Sequence, residues 1–559
     1  MLLMSFLTFA IQLADTLHEV HQNQIVHKDI NPQNVLLDPE TCSVKLIDFS
    51  IASQLLRETP TPGNPEQIEG TLAYMSPEAT GRMNRAVDYR TDFYSLGVTF
   101  YEMLAGQLPF TSTDPLELVH YHIAKNPVPL HKLFTDIPEP VSDIVMKLMA
   151  KNAEDRYQSA LGLKVDLETC LNQLYAGDRI TNFRLGKLDR SGQFSIPQKL
   201  YGRANEVQLL LEAFDRVSTG TTEMMLVSGY SGIGKTSVIN EIHKPIVRQK
   251  GAFITGKFDQ FKKDIPYAAL LQAFQEAIRQ LLTENAERVA IWRAKLLTAL
   301  AQNGQIVIDT IPELEYIIGA QPDVPQLGAA ESQNRFHRVF QQFINVFAQP
   351  EHPLVLFLDD LQWADAASLK IIENLMCDPD SKYLLLIGAY RDNEVSPIHP
   401  ALSTIERVKS CLVVVSHIVL AALELVHVRE LIQDTLGANV IPAKQEMPAN
   451  LAAKVLAERM QTLAYLVYNK TQGNPFFITQ LLQTLYRDRL LDFDFVLGQW
   501  MWDVEKIQTL GITEYSVVEL IARNIQKLAI ETQHVLKLAA CMGHQFSLDN
   551  LAIVNEKSF

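Results

Sequence analysis

Near the start of the chain, Leu3, Leu7, Ile11, Ala14 and Leu17 recur at helical spacing while Gln12, Asp15 and Glu19 occupy other faces, which predicts an amphipathic helix. The stretch is apolar enough to mimic a signal peptide, but no basic residue precedes Lys28 to form the charged start such a leader needs. Farther on the period changes. Val44-Lys45-Leu46-Ile47 reads as a short strand ending on Asp48, and Met224–Val227, Leu354–Leu358 and Tyr383–Ile387 are apolar runs of buried-strand length. Val207, Leu210, Leu211 and Phe214 return to helical spacing. Strands alternating with helices predict a parallel sheet whose ligands gather at the carboxyl ends of the strands. After Leu420 the pattern is mostly helical. No apolar run approaches the roughly 18 residues of a membrane helix, so no membrane span is expected.

Gly177, Gly186, Ser191, Gly192 and Pro197 interrupt a charged stretch from about Tyr175 to Pro197, which reads as a linker. A length of 559 residues sets a prior of about three or four domains. Hydrophobic residues at 47% and charged residues at 20% are those of an ordinary globular protein. The net charge of −15 argues against broad nucleic-acid binding, which needs a basic surface to displace counterions, and no direct nucleic-acid partner is expected. Cys42, Cys170, Cys377, Cys411 and Cys541 are scattered, odd in number and without C-x-x-C spacing. That pattern predicts neither a disulfide framework nor a zinc site and fits a reducing cytoplasm.

Two constellations carry chemistry. Gly229-Tyr230-Ser231-Gly232-Ile233-Gly234-Lys235-Thr236-Ser237 follows an apolar strand with the G-x-x-x-x-G-K-[ST] spacing of a phosphate loop. The loop must curl with its amides inward and admit phosphate to the backbone, which is why Gly229, Gly232 and Gly234 are glycines. Lys235 then reaches the β- and γ-phosphates, Thr236 offers its hydroxyl to Mg²⁺, and Ser237 follows beside it. The strand Leu354–Leu358 ends on Asp359-Asp360, where Asp359 would hold the Mg²⁺ shell and Asp360 would orient or activate water. Arg391, at the end of the third strand, could sense the γ-phosphate, and Gly473-Asn474-Pro475 punctuates the helical region as a turn. Asp29, Asn34 and Asp48 form a second constellation: one carboxylate accepts a hydroxyl proton while Asn34 and Asp48 hold magnesium.

Ile25-Val26-His27-Lys28-Asp29-Ile30-Asn31-Pro32-Gln33-Asn34, Asp48-Phe49-Ser50, Gly70-Thr71-Leu72-Ala73-Tyr74-Met75-Ser76-Pro77-Glu78, Asp92 with Ser95-Leu96-Gly97, and Arg156 together resemble the C-terminal lobe of eukaryotic-type serine/threonine protein kinases. The resemblance implies that Asp29 is the catalytic base, that Asn34 and Asp48 bind metal, that Thr71 marks serine/threonine specificity and that Arg156 pairs with Glu78. Lys28, Asn31 and Ser50 stand where the family carries arginine, lysine and glycine. Asp29 lies too near Met1 for the family's N-terminal lobe, so the expectation is a C-terminal lobe alone, in a chain that is a fragment at both ends.

Tyr201-Gly202-Arg203, the phosphate loop, Gly256-Lys257-Phe258-Asp259-Gln260, Asp359-Asp360-Leu361-Gln362-Trp363-Ala364-Asp365, Gly388-Ala389-Tyr390-Arg391 and Gly473-Asn474-Pro475 resemble the AAA-like signal-transduction ATPases. In that class the turn at Pro475 touches nucleotide from a lid, and nucleotide state sets domain arrangement. The expected organisation is multidomain: a mainly α kinase C-terminal lobe at 1–174, a linker at 175–197, an α/β P-loop ATPase with a parallel sheet at 198–425, a helical lid at 426–512 and a winged-helix-like segment at 513–559. Kinase lobe followed by ATPase resembles the front of large bacterial multidomain sensor kinases. The expected ligands are ATP and Mg²⁺, the expected partners protein substrates or signalling proteins, with a nucleotide-dependent oligomer. A pseudokinase scaffold and an ATPase-type transcription regulator are the competing classes.

Overall fold

A computed structural model describes residues 3–555 apart from 39–42, 55–69, 82–84, 178, 188, 190–193, 195, 244–245, 247–250, 261–264, 283–285, 412, 437–448, 495–498, 510–521, 523–524, 527 and 543–547. The chain divides into two compact units, one of Met1–Lys199 with Gln433–Ala452 and Phe493–Trp500, the other of Leu200–Ile432 with Ala453–Asp492 and Met501–Phe559. Among the described residues no helix is long and apolar enough to cross a membrane.

The first unit is mainly helical: α1 (Leu3–Gln22), α2 (Arg90–Ala105), α3 (Pro115–Ala124), α4 (Leu130–Leu133), α5 (Glu139–Leu148) and α6 (Ala160–Tyr175), with one antiparallel pair, β1 (Val35–Leu37) and β2 (Val44–Leu46). The helix expected from the first apolar spacing is α1. It buries Phe6, Leu7, Ala10, Leu13, Ala14 and Leu17 against α6 and α2, with Phe6 edge-on to Phe100 at 5.3 Å. Every residue of α2 from Arg90 to Tyr101 is buried, the mark of a helix enclosed on all sides. Residues 180–187, within the stretch read as a linker, pack on this unit. Ile180, Phe183 and Leu185 lie against its core, and the Gly186 amide donates to Asp166 Oδ2 at 2.7 Å. Three apolar side chains spaced two or three apart were hidden by the charges and glycines around them.

The second unit is built on a five-stranded sheet in the order β4-β5-β6-β3-β7. Its strands are β3 (Thr222–Ser228), β4 (Ala252–Lys257), β5 (Leu354–Asp359), β6 (Leu384–Tyr390) and β7 (Val414–Val419), and all the pairings are parallel. Successive side chains point to opposite faces. Met225, Val227, Val355, Phe357, Leu385 and Ile387 therefore share one core with α7 (Ala204–Ser218) and α8 (Lys235–Asn240). Met224, Leu226, Leu354, Leu356, Leu384 and Leu386 share the other, covered by α9 (Ala268–Leu282), α10 (Ala329–Phe347), α11 (Ala366–Cys377) and α12 (Pro400–Ser410). Burial on both faces is why β5 and β6 read as unbroken apolar runs.

The expectation of no disulfide fails at one place. Cys377, the last residue of α11, is bonded to Cys411, just past α12, with Cα atoms 5.4 Å apart. A separation of 34 residues carries no spacing signal; the two cysteines meet because α11 and α12 pack together on one face of the sheet. Later come α13 (Leu425–Leu436), α14 (Ala449–Thr471) and α15 (Pro475–Arg487), then two short strands, Leu491–Asp494 and Gln499–Trp502, and the helices Val504–Thr509, Ile530–Met542 and Leu548–Val554. Much of the segment read as winged-helix-like, 513–521 and 543–547 included, lies outside the described residues.

Candidate functional sites

In the second unit the parallel register brings the chemistry together. Ser228 pairs with Tyr390 and Leu358 with Gly388, so the phosphate loop after β3, Asp359-Asp360 after β5 and Arg391 after β6 leave the sheet at one edge. Gly229, Gly232 and Gly234 have φ of 148°, 75° and 98°, backbone that side-chain-bearing residues rarely adopt. Gly232 is also needed for space, since a Cβ there would come within 2.8 Å of the Phe476 Cβ. Lys235 opens α8, and its Nζ donates into the loop, to the carbonyls of Gly229 at 2.7 Å and Tyr230 at 3.1 Å. Burial lowers the Lys235 pKa, and Asp359 and Asp360 oppose that shift. Thr236 and Ser237 are exposed beside it.

Asp359 ends β5, and burial, then the neighbouring Asp360, raise its pKa. Asp360 turns out of the strand at φ 56°, and its carboxylate is surrounded. Oδ1 accepts from Gln362 Nε2 at 2.8 Å and lies 3.3 Å from Arg391 Nε, while Oδ2 lies 3.5 Å from Lys257 Nζ. Arg391 also pairs with Glu394 at 2.7 Å and stacks 4.9 Å over the Trp363 ring. Pro475 is the first residue of α15. Its neighbours touch the phosphate loop: Asn474 Nδ2 donates to the Ser231 carbonyl at 3.0 Å and the Phe476 amide to the Gly232 carbonyl at 3.2 Å. A triphosphate with a divalent cation fits this edge, which offers curled loop amides, a lysine and a paired carboxylate.

In the first unit Asn34 Nδ2 donates to Asp29 Oδ2 at 3.0 Å and to the Asp29 carbonyl at 2.8 Å, and the Thr71 amide donates to Asp29 Oδ1 at 2.9 Å. Asn31, which holds a lysine's place, instead caps the turn over Pro32–Asn34 and donates to Thr71 Oγ1 at 3.2 Å. Asp48 is exposed, and Ser50 lowers its pKa. It contacts neither Asp29 nor Asn34 directly among the described bonds. It is positioned next door: the Ile47 amide donates to the Asn34 carbonyl at 2.9 Å, and buried His27 bonds the Ile47 carbonyl at 3.0 Å and packs on Phe49. Asp92, in α2, secures the backbone from below, accepting from the His27 and Lys28 amides at 2.9 and 2.8 Å. Arg156 and Glu78 form a bidentate buried pair at 2.6 and 2.7 Å.

Residues 5–168 match the protein kinase domain family, and residues 199–387 match the AAA ATPase domain family. The chain joins a protein kinase domain to an AAA ATPase domain. Over 99% of its length it is 31% identical to hybrid signal transduction histidine kinase G of Dictyostelium discoideum, of which it covers 20%. Over 97% it is 22% identical to peroxide stress-activated histidine kinase mak3 of Schizosaccharomyces pombe, covering 26% of that protein. The kinase domain alone is 35% identical, over 147 residues or 26% of the chain, to serine/threonine-protein kinase PknB of Mycobacterium tuberculosis, with 23% of that protein covered. The chain thus spans about a fifth to a quarter of the length of these curated relatives.

Sequence reasoning gave no part to Gln362, Lys257 or Asn474 in the ATPase domain, nor to His27 in the kinase domain. Each lies inside a motif whose neighbouring residues carry the recognisable chemistry. The available signal was position: Gln362 stands two residues beyond Asp360, and Lys257 ends the strand beside β5.

Proposed function

We propose that this chain is an ATP-binding signalling protein in which a serine/threonine-kinase-like domain is joined to an ATPase domain that binds and hydrolyses Mg-ATP as a switch. The observation that carries the reading is the convergence of Lys235, Asp359, Asp360 and Arg391 at one edge of a parallel sheet. The loop amides and Lys235 hold the phosphates, with Gly229, Gly232, Gly234 and Ser237 shaping the loop. Thr236 and Asp359 would hold Mg²⁺, which when bound would supply positive charge against the phosphates, and Asp360 takes a proton from water. Arg391 faces the γ-phosphate, and the turn at Pro475 closes over the loop. In the kinase domain Asp29 is the base, with Asn34 and Asp48 the metal-binding pair. The similarity to a hybrid signal transduction histidine kinase and a peroxide stress-activated histidine kinase supports a signalling role.

The test is titration with fluorescent ATP. Lys235→Ala removes a charge-assisted contact worth about 1.5 to 3 kcal/mol, so affinity should fall about ten- to a hundredfold. Equal affinities in wild type and variant would remove the assignment.

A further inference from the structure

The Cys377–Cys411 bond has no part in the reading above, yet the stretch of chain it closes contains all of β6, Arg391 and α12. Each of the two helices it joins follows the carboxyl end of one strand and leads into the next parallel strand. Both therefore begin at the phosphate edge of the sheet and run back to the opposite edge. The 12 residues of α11 span about 18 Å, so the two sulfurs stand one helix length away from Asp360.

The near ends of the two helices hold the site. Asp365 caps α11, accepting from the Ser368 amide at 2.8 Å. His399 caps α12: its Nδ1 accepts from the Ala401 amide at 3.2 Å, so Nε2 carries the proton and donates to the Gln362 carbonyl at 3.1 Å. Gln362 in turn donates to Asp360 Oδ1 at 2.8 Å and accepts from the Arg391 amide at 3.3 Å. Where Asp360 points thus depends on where α12 begins relative to α11. Apart from the disulfide, the helices are held together by apolar side chains and by an Arg407–Glu373 pair at 2.7 Å. That arginine is 54% exposed, so the pair is weak and screened by salt. The phosphate loop stands elsewhere, since Lys235 opens α8 and α8 packs on the other face of the sheet.

We infer that Cys377 and Cys411 form a reversible redox site that governs the rate of ATP hydrolysis and leaves nucleotide affinity alone. Cys411 is exposed and Cys377 half-buried, within reach of the exchange that makes and breaks such bonds. Hydrogen peroxide oxidises the Cys411 thiol to a sulfenic acid and is reduced to water. The Cys377 thiol then attacks that sulfur, the S–S bond forms, and a second water leaves. A dithiol reverses the step by passing two electrons and two protons to the pair and closing its own disulfide. Oxidised, the far ends of α11 and α12 are pinned, and the contact from His399 to Gln362 holds Asp360 toward the water. Reduced, α12 shifts along α11 and Asp360 is less often in place. The inference rests on the reading of the Lys235 loop as the ATP site and of Asp360 as its base.

The test compares the full chain after hydrogen peroxide and after dithiothreitol, with the bond followed by peptide mapping without reduction. Oxidation should raise phosphate release at saturating Mg-ATP about three- to tenfold, inside the roughly 10²-fold that a misplaced catalytic group can cost, and leave fluorescent-ATP affinity within about twofold. It should also slow amide hydrogen exchange at residues 360–364 and 399–402, and dithiothreitol should reverse both effects. Cys377→Ser and Cys411→Ser should each stay in the slow state under peroxide, while Cys541→Ser should respond as wild type does. A peroxide response that survives Cys377→Ser, a chain in which peroxide forms no Cys377–Cys411 bond, or a bond that raises the melting temperature with turnover unchanged overturns the inference. So does an affinity change as large as the change in turnover. If Lys235→Ala binds and hydrolyses ATP as wild type does, the reading of the ATP site fails. If Lys235→Ala abolishes both while peroxide alters neither turnover nor exchange, the redox site alone fails.

Discussion

Asp189 shows how one side chain can anchor a segment. Its carboxylate accepts from the Gln158 amide at 2.8 Å, the Ser159 amide at 2.8 Å and Ser159 Oγ at 2.9 Å, and burial, opposed by these bonds, pushes its pKa up to about 6. The folded chain thus keeps a proton that the unfolded chain, at an ordinary value of 3.8, has released. The stability this contributes is full below the unfolded value and is lost as pH rises through about 6. Asp189→Asn does not titrate there, so the advantage of wild type over it should shrink between about pH 4 and pH 7. Urea unfolding of the kinase domain followed by circular dichroism measures it; an advantage that grows with pH would mean that the charged form is the one the fold favours. At this scale, sequence revealed the residues whose chemistry is tied to a motif, Lys235 and Asp359 among them. Asp189 and the Cys377–Cys411 pair owe their roles to neighbours far along the chain, which spacing does not encode.

Among the elements, α15 has an unusual start. Asn474 accepts from the amides of Phe476 and Phe477 at 3.1 and 3.4 Å as the cap, and through Nδ2 it also donates to the Ser231 carbonyl. Asn474→Ala removes both contacts, and loss of a cap alone costs about 1 kcal/mol. Asn474→Asp keeps the capping acceptor but sets an oxygen against the Ser231 carbonyl. We expect both variants to speed amide hydrogen exchange across residues 229–236, and only the alanine variant to speed it across the first turn of α15. Unchanged loop exchange in both would show that the turn merely abuts the loop. The Asn-Pro start of this helix was legible as punctuation, and α1 and the strands β3, β5 and β6 were legible from their periods. What lies against what was not legible: residues 180–187 look like a linker until Ile180, Phe183 and Leu185 are seen on the kinase core.

For the whole molecule, the two nucleotide chemistries are unequally equipped. In the kinase domain Asn31 supplies an amide where the family has a cation, and the Thr71 amide and Asn34 already take both Asp29 oxygens. Phosphoryl transfer depends on positioning and charge stabilisation. We therefore expect the 559-residue chain to release radiolabelled phosphate from ATP without labelling a serine peptide, and Lys235→Ala to abolish the release. Peptide labelling that survives Lys235→Ala and disappears with Asp29→Ala would place transfer in the kinase domain. Both domain types could be read from motif order, because each motif sits at the end of an element whose period is plain. The approach of Lys257 to Asp360 could not, because it depends on strand order in the sheet.

The two bonds from the start of α15 to the phosphate loop make the position of that helix and the shape of the loop one shared equilibrium. Thermodynamic linkage then runs in both directions: a partner that draws α15 away and weakens nucleotide tenfold must itself be bound tenfold less tightly when nucleotide is present, an exchange of about 1.4 kcal/mol. The currency of such a switch is two hydrogen bonds, at 3.0 and 3.2 Å.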